Sequence, residues 1–223
     1  MTRQLRLGLT RPASYRREDF VAGPSNRHAL ERLDAWPSWH LGCLTLVGPE
    51  GVGKTHLARA WAAEVGALVL DRSRPDIESV AGRPAVVEDV DQGVEDETLF
   101  HLINMAGRPG GGLLLTARTP PAAWPCALPD LRSRLNALPV VEIAEPDDDV
   151  LEGVLRRLFR ERLIEAPKDV YPYLLRRIPR SVAVAREVVR LIDETADAEQ
   201  RPISRLLARQ VLEGNAENLD LFE

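Results

Sequence analysis

A glycine-rich stretch, GPEGVGKT at 48–55, constrains the fold of this chain more than any other feature of its sequence. A short apolar run, CLTLV at 43–47, precedes it, and a stretch with helical spacing follows from Thr55 to Val65. Glycines let backbone N–H groups approach phosphate oxygens closely, and the helix that follows points its positive end at them. The order strand, glycine-rich turn and helix therefore predicts a phosphate-binding loop in a parallel sheet.

The residues of this loop have predictable roles. Gly51 and Gly53 would admit the phosphates, Lys54 would contact the terminal phosphates, and Thr55 would ligate magnesium. Lys54 is informative because the chain has only one other lysine, Lys168, among many arginines. The predicted nucleotide-contacting residues of the motif are Gly48, Pro49, Glu50, Gly51, Val52, Gly53, Lys54, Thr55 and His56.

An acidic pair follows a second apolar run, in AVVEDVD at 85–91. A phosphate-binding loop needs a carboxylate at the end of a neighbouring strand to hold magnesium, directly or through water. Glu88 and Asp89 are the candidates for that role, although an acidic pair can also be a solvated turn. The next run ends in Thr116 and resembles the strand that senses phosphate in such ATPases, although taken alone it would be an ordinary core strand.

The chain divides into a sheet-forming part and a helical part. Apolar runs typical of strands lie at 43–47, 67–70, 85–90, 112–116 and 140–143, and a first helix is predicted between 26 and 39. After Pro146, three aspartates open a helix with one apolar stripe, formed by Val150, Leu151, Val154, Leu155, Leu158 and Phe159. Further helices are predicted near 169–178, 181–196 and 202–213, with no strand pattern. We therefore expect an α/β domain over 15–145 and a small all-helical domain over 146–213, between tails at 1–14 and 214–223.

The composition favours a globular protein in the cytoplasm. No apolar run approaches the roughly 18 residues of a membrane span, and the N-terminus lacks the apolar stretch of a secretory signal. A net charge of −5 argues against coating nucleic acid by charge alone, so DNA contacts should be local or indirect. Cys43 and Cys126 are too few for a disulfide framework or a four-ligand zinc site, and we expect buried thiols.

Two arginines follow the last part of the sheet pattern. The segment LPDLRSRL at 128–135 contains Arg132 and Arg134. An arginine in this place can project from one subunit toward the nucleotide of another, where a fixed cation stabilises charge on the transferred phosphate. Surface charge is the alternative, and these residues alone do not decide between the two.

Five segments, taken in chain order, resemble the DnaA/Hda family of AAA+ proteins, and especially its shortened Hda branch. They are FVAGPSN at 20–26, GPEGVGKTHL at 48–57, VVEDVD at 86–91, LLLTARTPP at 113–121 and LPDLRSRL at 128–135. The resemblance spans nearly the whole chain. DnaA proteins carry a further helix-turn-helix domain for origin DNA, and the short distance from the last predicted helix to the end of this sequence favours the Hda branch.

The resemblance implies an α/β fold of the AAA+ P-loop type, with a parallel sheet, followed by a small helical lid. It implies bound ADP or ATP with Mg²⁺, ADP being the expected resident ligand. Phe20, Val21 and Asn26 match the stretch that surrounds adenine. Arg134 matches the family's arginine finger, which would act in trans on ATP bound to the initiator DnaA.

The N-terminal tail resembles the sliding-clamp-binding peptide of Hda proteins. Its matching residues are Gln4, Leu5, Leu7 and Leu9, and a peptide of this kind inserts apolar anchors into a preformed groove. The implied partner is the sliding clamp, the beta subunit of DNA polymerase III, and DNA would be reached indirectly through the clamp. The segment from Asn218 to Phe222 is a weaker second match, and pairing through the clamp makes a homodimer one option.

The resemblance implies a nucleotide-bound negative regulator of replication initiation that stimulates ATP hydrolysis by DnaA. Three departures from the family pattern bear on the chain's own catalysis. Glu88 replaces the first aspartate of the acidic pair, Arg118 stands where relatives have an aspartate, and Ala183 stands at the position of the lid sensor arginine. Arg180 and Arg186 are possible substitutes for that arginine. The competing hypotheses are a self-sufficient ATPase such as a helicase loader, and a structural anchor bound to the clamp.

Overall fold

The computed structural model describes residues 15–215. Its first part contains a five-stranded sheet of parallel strands in the order β2-β3-β4-β1-β5. The strands are β1 Cys43–Val47, β2 Leu68–Leu70, β3 Pro84–Val87, β4 Gly112–Ala117 and β5 Val140–Glu142. The helices of this part are α1 Arg27–Asp34, α2 Lys54–Val65, α3 Asp96–Ala106 and α4 Pro129–Ala137. The predicted parallel α/β sheet with a phosphate-loop helix is confirmed.

The helices cover both faces of the sheet. Helices α1 and α2 share a core with Leu44, Leu46 and Leu114, whereas α3 and α4 share one with Leu113 and Leu115. Successive side chains of a strand point to opposite faces, which is why adjacent leucines belong to different cores. Strands β1 and β4 are buried along their whole length, as expected for central parallel strands.

Four helices follow the sheet, and we call them the lid. They are α5 Asp148–Glu161, α6 Val170–Leu175, α7 Val182–Glu199 and α8 Arg205–Gly214. The apolar stripe predicted on the first of them is buried in full. Asp147 caps this helix, because its carboxylate accepts the Val150 N–H at 2.9 Å. The all-helical second part is confirmed, whereas the boundaries at 145 and 213 stay a prediction.

Two local predictions were wrong. Helix α1 ends at Asp34 rather than near residue 39, because Trp36 and Trp39 pack from a turn against Trp61 of α2, at ring-centroid distances of 5.8 and 5.0 Å. Cys43 is buried as expected, but Cys126 is only half-buried.

In the part of the chain that the structure describes, no helix combines the length and the apolar character needed to cross a membrane.

Candidate nucleotide-binding site

The glycine-rich loop joins β1 to α2 and has the backbone that phosphate binding requires. Gly51 and Gly53 have φ of +78° and +102°, in the region that side chains other than glycine rarely adopt. The Lys54 ammonium donates hydrogen bonds to the carbonyl oxygens of Gly48 and Pro49, both at 2.7 Å. Lys54 therefore lies against its own loop, at the N-terminus of α2, which is the end of a helix that attracts phosphate groups.

Burial lowers the pKa of Lys54, and the Asp89 carboxylate opposes that shift. The lysine is 7% exposed, and it donates hydrogen bonds to two neutral carbonyl groups. An anion placed in the loop would supply the countercharge that the buried ammonium needs. The residues of the loop thus fit the phosphate groups of a nucleotide.

The lid contacts the loop directly. The Val182 N–H, at the start of α7, donates a hydrogen bond to the Gly51 carbonyl oxygen at 2.9 Å. A Cβ atom on Gly51 would lie 2.1 Å from Ser181 Oγ and 3.5 Å from the Ala183 methyl carbon. Ala183, predicted to stand at the position of the lid sensor arginine, therefore lies beside the loop. Arg180 is engaged elsewhere, in an ion pair with Asp148 at 2.9 Å.

The predicted adenine segment spans the gap between the loop and the lid. The Phe20 ring packs against the His56 ring with 5.4 Å between centroids, and it would meet a Cβ on Gly53 at 3.0 Å. Val21 packs on α5, where it would meet a Cβ on Gly153 at 2.7 Å. Asn26 is buried, and its amide fixes the segment by accepting the Gly23 N–H and donating to the Val21 carbonyl. The structure brings these residues together, and their contact with adenine stays a prediction.

His56 belongs to this contact region between the N-terminal segment and α2. Its Nε2 atom lies 2.9 Å from the Arg16 carbonyl oxygen. Burial lowers the pKa of His56, and the hydrogen bond from the ring to Arg16 opposes the shift. The ring is therefore neutral near pH 7, as suits a side chain packed between aromatic rings.

The acidic pair at the end of β3 is engaged with arginines. The Glu88 carboxylate forms an ion pair with Arg59 of α2. Asp89 has a left-handed backbone, with φ of +53°, and its N–H donates to Thr116 Oγ1 at 3.0 Å. Arg72 donates to the Asp89 carbonyl oxygen at 3.2 Å. The structure thus places Thr116 beside the pair and gives Glu88 a partner other than a metal.

Magnesium remains a prediction for this site. Thr55 is exposed at the start of α2, and Glu88 and Asp89 are half-buried at the end of β3. Within residues 15–215, no group of three or more His, Cys, Asp or Glu side chains is arranged to hold a metal. Mg²⁺ at nucleotide sites commonly takes one or two carboxylates together with phosphate oxygens and water, so the fit depends on the nucleotide.

Asp91 is a site residue that the sequence reasoning missed. Its Oδ2 atom accepts the N–H groups of Arg118 at 2.8 Å and of Thr119 at 3.1 Å. It thereby fixes the backbone that follows β4, next to the phosphate loop. The available signal was the third acid of EDVD, two positions after Asp89.

The side chain of Arg118 also reaches the loop. Its guanidinium donates to the Glu50 carboxylate at 2.7 Å, and both side chains are more than half exposed. The structure therefore puts a cation beside the phosphate loop, at the position where the resemblance implies a carboxylate.

The two arginines of α4 have different surroundings. Arg132 donates to the carbonyl oxygens of Ala122 and Trp124, which makes it a structural residue of the preceding turn. Arg134 is half-buried, with its guanidinium carbon 5.1 Å from the centre of the Phe100 ring. Burial raises the pKa of the Cys43 thiol to about 12, and the charge of Arg134 opposes that shift. Arg134 lies in the last turn of α4, which leads into the start of β5, whereas the phosphate loop follows the last residue of β1. Because β1 and β5 are parallel, the two lie toward opposite edges of the sheet.

The two sliding-clamp matches, Gln4, Leu5, Leu7 and Leu9 in the N-terminal tail and Asn218–Phe222 at the other end, lie outside the described residues.

Comparisons with known proteins agree with this geometry. Residues 44–103, which hold the loop and the acidic pair, match the family model of the ATPase family associated with various cellular activities (AAA). The chain is 25% identical over 246 residues to the chromosomal replication initiator protein DnaA of Thermomicrobium roseum, covering 91% of this chain and 50% of that protein. It thus spans about half the length of the curated relative that it matches.

Solved structures of DnaA share the fold. Domain III of the Thermotoga maritima replication initiation protein DnaA superposes with a TM-score of 0.74 at 18% identity, covering 90% of this chain and 96% of that one. AMPPCP-bound DnaA from Aquifex aeolicus has a TM-score of 0.63 at 22% identity, covering 82% and 67%. The chain therefore has an AAA+ P-loop fold and DnaA-like homology.

Proposed function

We propose that this protein is a nucleotide-bound negative regulator of replication initiation that stimulates ATP hydrolysis by DnaA. Held on the DNA-loaded sliding clamp, it would supply Arg134 as an arginine finger to ATP bound by DnaA. The proposed setting is the cytoplasm, at the replisome or nucleoid. DNA is reached through the clamp, and clamp contacts of Gln4, Leu5, Leu7 and Leu9 are part of the proposal.

The position of Arg134 is the observation that carries this proposal. It lies in the last turn of α4, just before β5 begins, and therefore toward the opposite end of the parallel strands from the phosphate loop. Strand β1 has five residues, so its two ends are about 13 Å apart at 3.3 Å per residue. An arginine at that edge is badly placed for its own nucleotide, and well placed for one presented by a neighbouring protein.

The residues near the chain's own nucleotide site also support a regulatory role. Glu88 is paired with Arg59, and Arg118, which is paired with Glu50, stands where the resemblance to the DnaA/Hda family implies an aspartate. Each arrangement removes a free carboxylate from the region where magnesium and attacking water are held. We infer that bound ADP acts mainly as a conformational clamp between the sheet and the lid, and that turnover by the chain itself is weak or absent.

The test measures hydrolysis of ATP pre-bound to DnaA of the same organism, with this protein and DNA-loaded clamp added. Wild type should accelerate hydrolysis, and Arg134→Ala should lower the stimulated rate by roughly 1000-fold, toward the basal rate, because an arginine finger contributes about 10³–10⁵ in rate. Omission of the clamp should also abolish stimulation.

Arg83→Ala is the matched control, because Arg83 is exposed in the turn before β3, at the same edge of the sheet as Arg134. It should stimulate like wild type. Rapid ATP turnover by this chain without DnaA would instead support the self-sufficient ATPase. Clamp binding without any change in DnaA hydrolysis would support the structural anchor.

A further inference from the structure

Arg118 lies between the two sequence motifs that define the nucleotide site. Strand β4 is flanked by β1, which leads into the phosphate loop, and by β3, which leads into the acidic pair. The Gly48 N–H donates to the Ala117 carbonyl oxygen at 3.3 Å, so the ladder continues to the first residue of the loop. The residue after β4 therefore emerges beside the place where the terminal phosphate of a nucleotide lies.

The backbone of Arg118 is fixed although its side chain is exposed. Asp91 accepts the N–H groups of both Arg118 and Thr119, as well as the Thr119 hydroxyl at 3.4 Å. Asp91 Oδ1 is buried and has no hydrogen-bond partner among residues 15–215. Because the Arg118 backbone is fixed, its flexible side chain can place the guanidinium only within a limited region, which includes the loop.

The present partner of Arg118 is easy to exchange. The Arg118 and Glu50 side chains are 51% and 74% exposed, and exposed ion pairs contribute only about 0–1 kcal/mol. A cavity of about 360 Å³ borders Arg118, Gly48 and Pro49, so the side chain has room to move. A phosphate group would compete well with Glu50, because arginine binds phosphate through two parallel charge-assisted hydrogen bonds.

We propose that Arg118 binds the γ-phosphate of a nucleoside triphosphate in cis and thereby distinguishes triphosphate from diphosphate. With a diphosphate bound, the Arg118–Glu50 pair persists as seen here. With a triphosphate bound, the guanidinium leaves Glu50 and joins Lys54 at the terminal phosphate. This inference rests on the nucleotide site of the proposed function and concerns which nucleotide that site holds.

The experiment compares the affinities of ADP and of the non-hydrolysable triphosphate AMPPNP, both with Mg²⁺, by isothermal titration calorimetry. Arg118→Ala should weaken AMPPNP binding roughly 10- to 100-fold, the range expected for a charged hydrogen-bonding group. ADP binding should change by less than about two-fold, because the lost surface ion pair contributes little. Arg118→Lys should recover part of the AMPPNP affinity.

Two further variants separate phosphate binding from a tethering role. Glu50→Gln removes the competitor, so AMPPNP should bind up to about five-fold more tightly. If Arg118 served only to tether the loop, Glu50→Gln would weaken binding as Arg118→Ala does, and the proposal would be overturned. Arg108→Ala is the control, because Arg108 is exposed in the turn before β4, at the other end of the same strand.

Other results would also overturn the inference. They are an equal loss of ADP and AMPPNP affinity in Arg118→Ala, no loss of either, and failure of the wild type to bind AMPPNP while it binds ADP. The regulatory proposal is tested separately, because stimulation of DnaA depends on Arg134. Stimulation can therefore survive the loss of ATP preference, and ATP preference can survive the loss of stimulation.

Discussion

Two parts of the candidate site are built in different ways. One is the phosphate loop, and the other, which we call the acidic side, consists of residues 88–91 and the neighbouring Arg118. The loop relies on backbone conformation and on a buried lysine, and its lid contact is a backbone hydrogen bond. The acidic side relies on charged side chains, and two of them form ion pairs at the surface: Glu88 with Arg59, and Arg118 with Glu50 of the loop. This difference is part of our proposal that the site holds a nucleotide without turning it over rapidly.

The largest expected effect is on the loop. Lys54→Ala should weaken ADP and AMPPNP binding by about 100-fold or more, because charge-assisted hydrogen bonds to both terminal phosphates are lost. Titration calorimetry measures both affinities. Lys168→Ala is the control, since the only other lysine is exposed in the lid and should leave binding unchanged. Equal affinities in wild type and Lys54→Ala would mean that the loop is not the phosphate site.

A second prediction concerns the joint between loop and lid. Gly51→Ala places a methyl group 2.1 Å from Ser181 Oγ and forces alanine to φ of +78°. The free energy of unfolding should fall by about 1–3 kcal/mol, the range for such backbone strain with an added clash. Gly66→Ala separates the two causes, because Gly66 has φ of +70° and open space around it. If denaturant unfolding shows equal losses for both variants, the lid does not press on the loop.

The smallest expected effect is on the acidic side. Arg59→Ala releases Glu88, so AMPPNP affinity should depend more strongly on Mg²⁺. The ratio of the affinities with and without Mg²⁺ should rise by a factor of about two to five. The ion pair is partly exposed, with 43% of the arginine and 16% of the glutamate side chain accessible, which keeps the effect small. A magnesium titration of AMPPNP binding measures it, with exposed Arg74→Ala as the control. An unchanged dependence would show that Arg59 does not restrain Glu88.

Local patterns made most of the fold predictable. The run 43–47 coincides with β1, and the apolar stripe of α5 is buried as its spacing predicts. The end of α1 was missed because Trp36 and Trp39 continue the helical spacing but pack against Trp61 from a turn. Spacing reports which residues face the core, and it does not report whether a helix or a turn presents them.

The site was predictable only where it is contiguous. The loop is one motif, so its residues could be named from the sequence. The ion pairs Arg59–Glu88 and Arg118–Glu50 join residues that are 29 and 68 positions apart, and no local pattern reveals such pairs. Asp91 was missed for the same reason, since its role depends on a strand 27 positions away.

The hydrogen bond from Val182 to Gly51 couples the position of the lid to that of the loop. It joins the loop to the first residue of α7, a helix of 18 residues and about 27 Å. A rotation of about 5° at that joint would displace the far end of the helix by about 2 Å. A small adjustment of the loop would therefore give a larger displacement at the remote end of the lid.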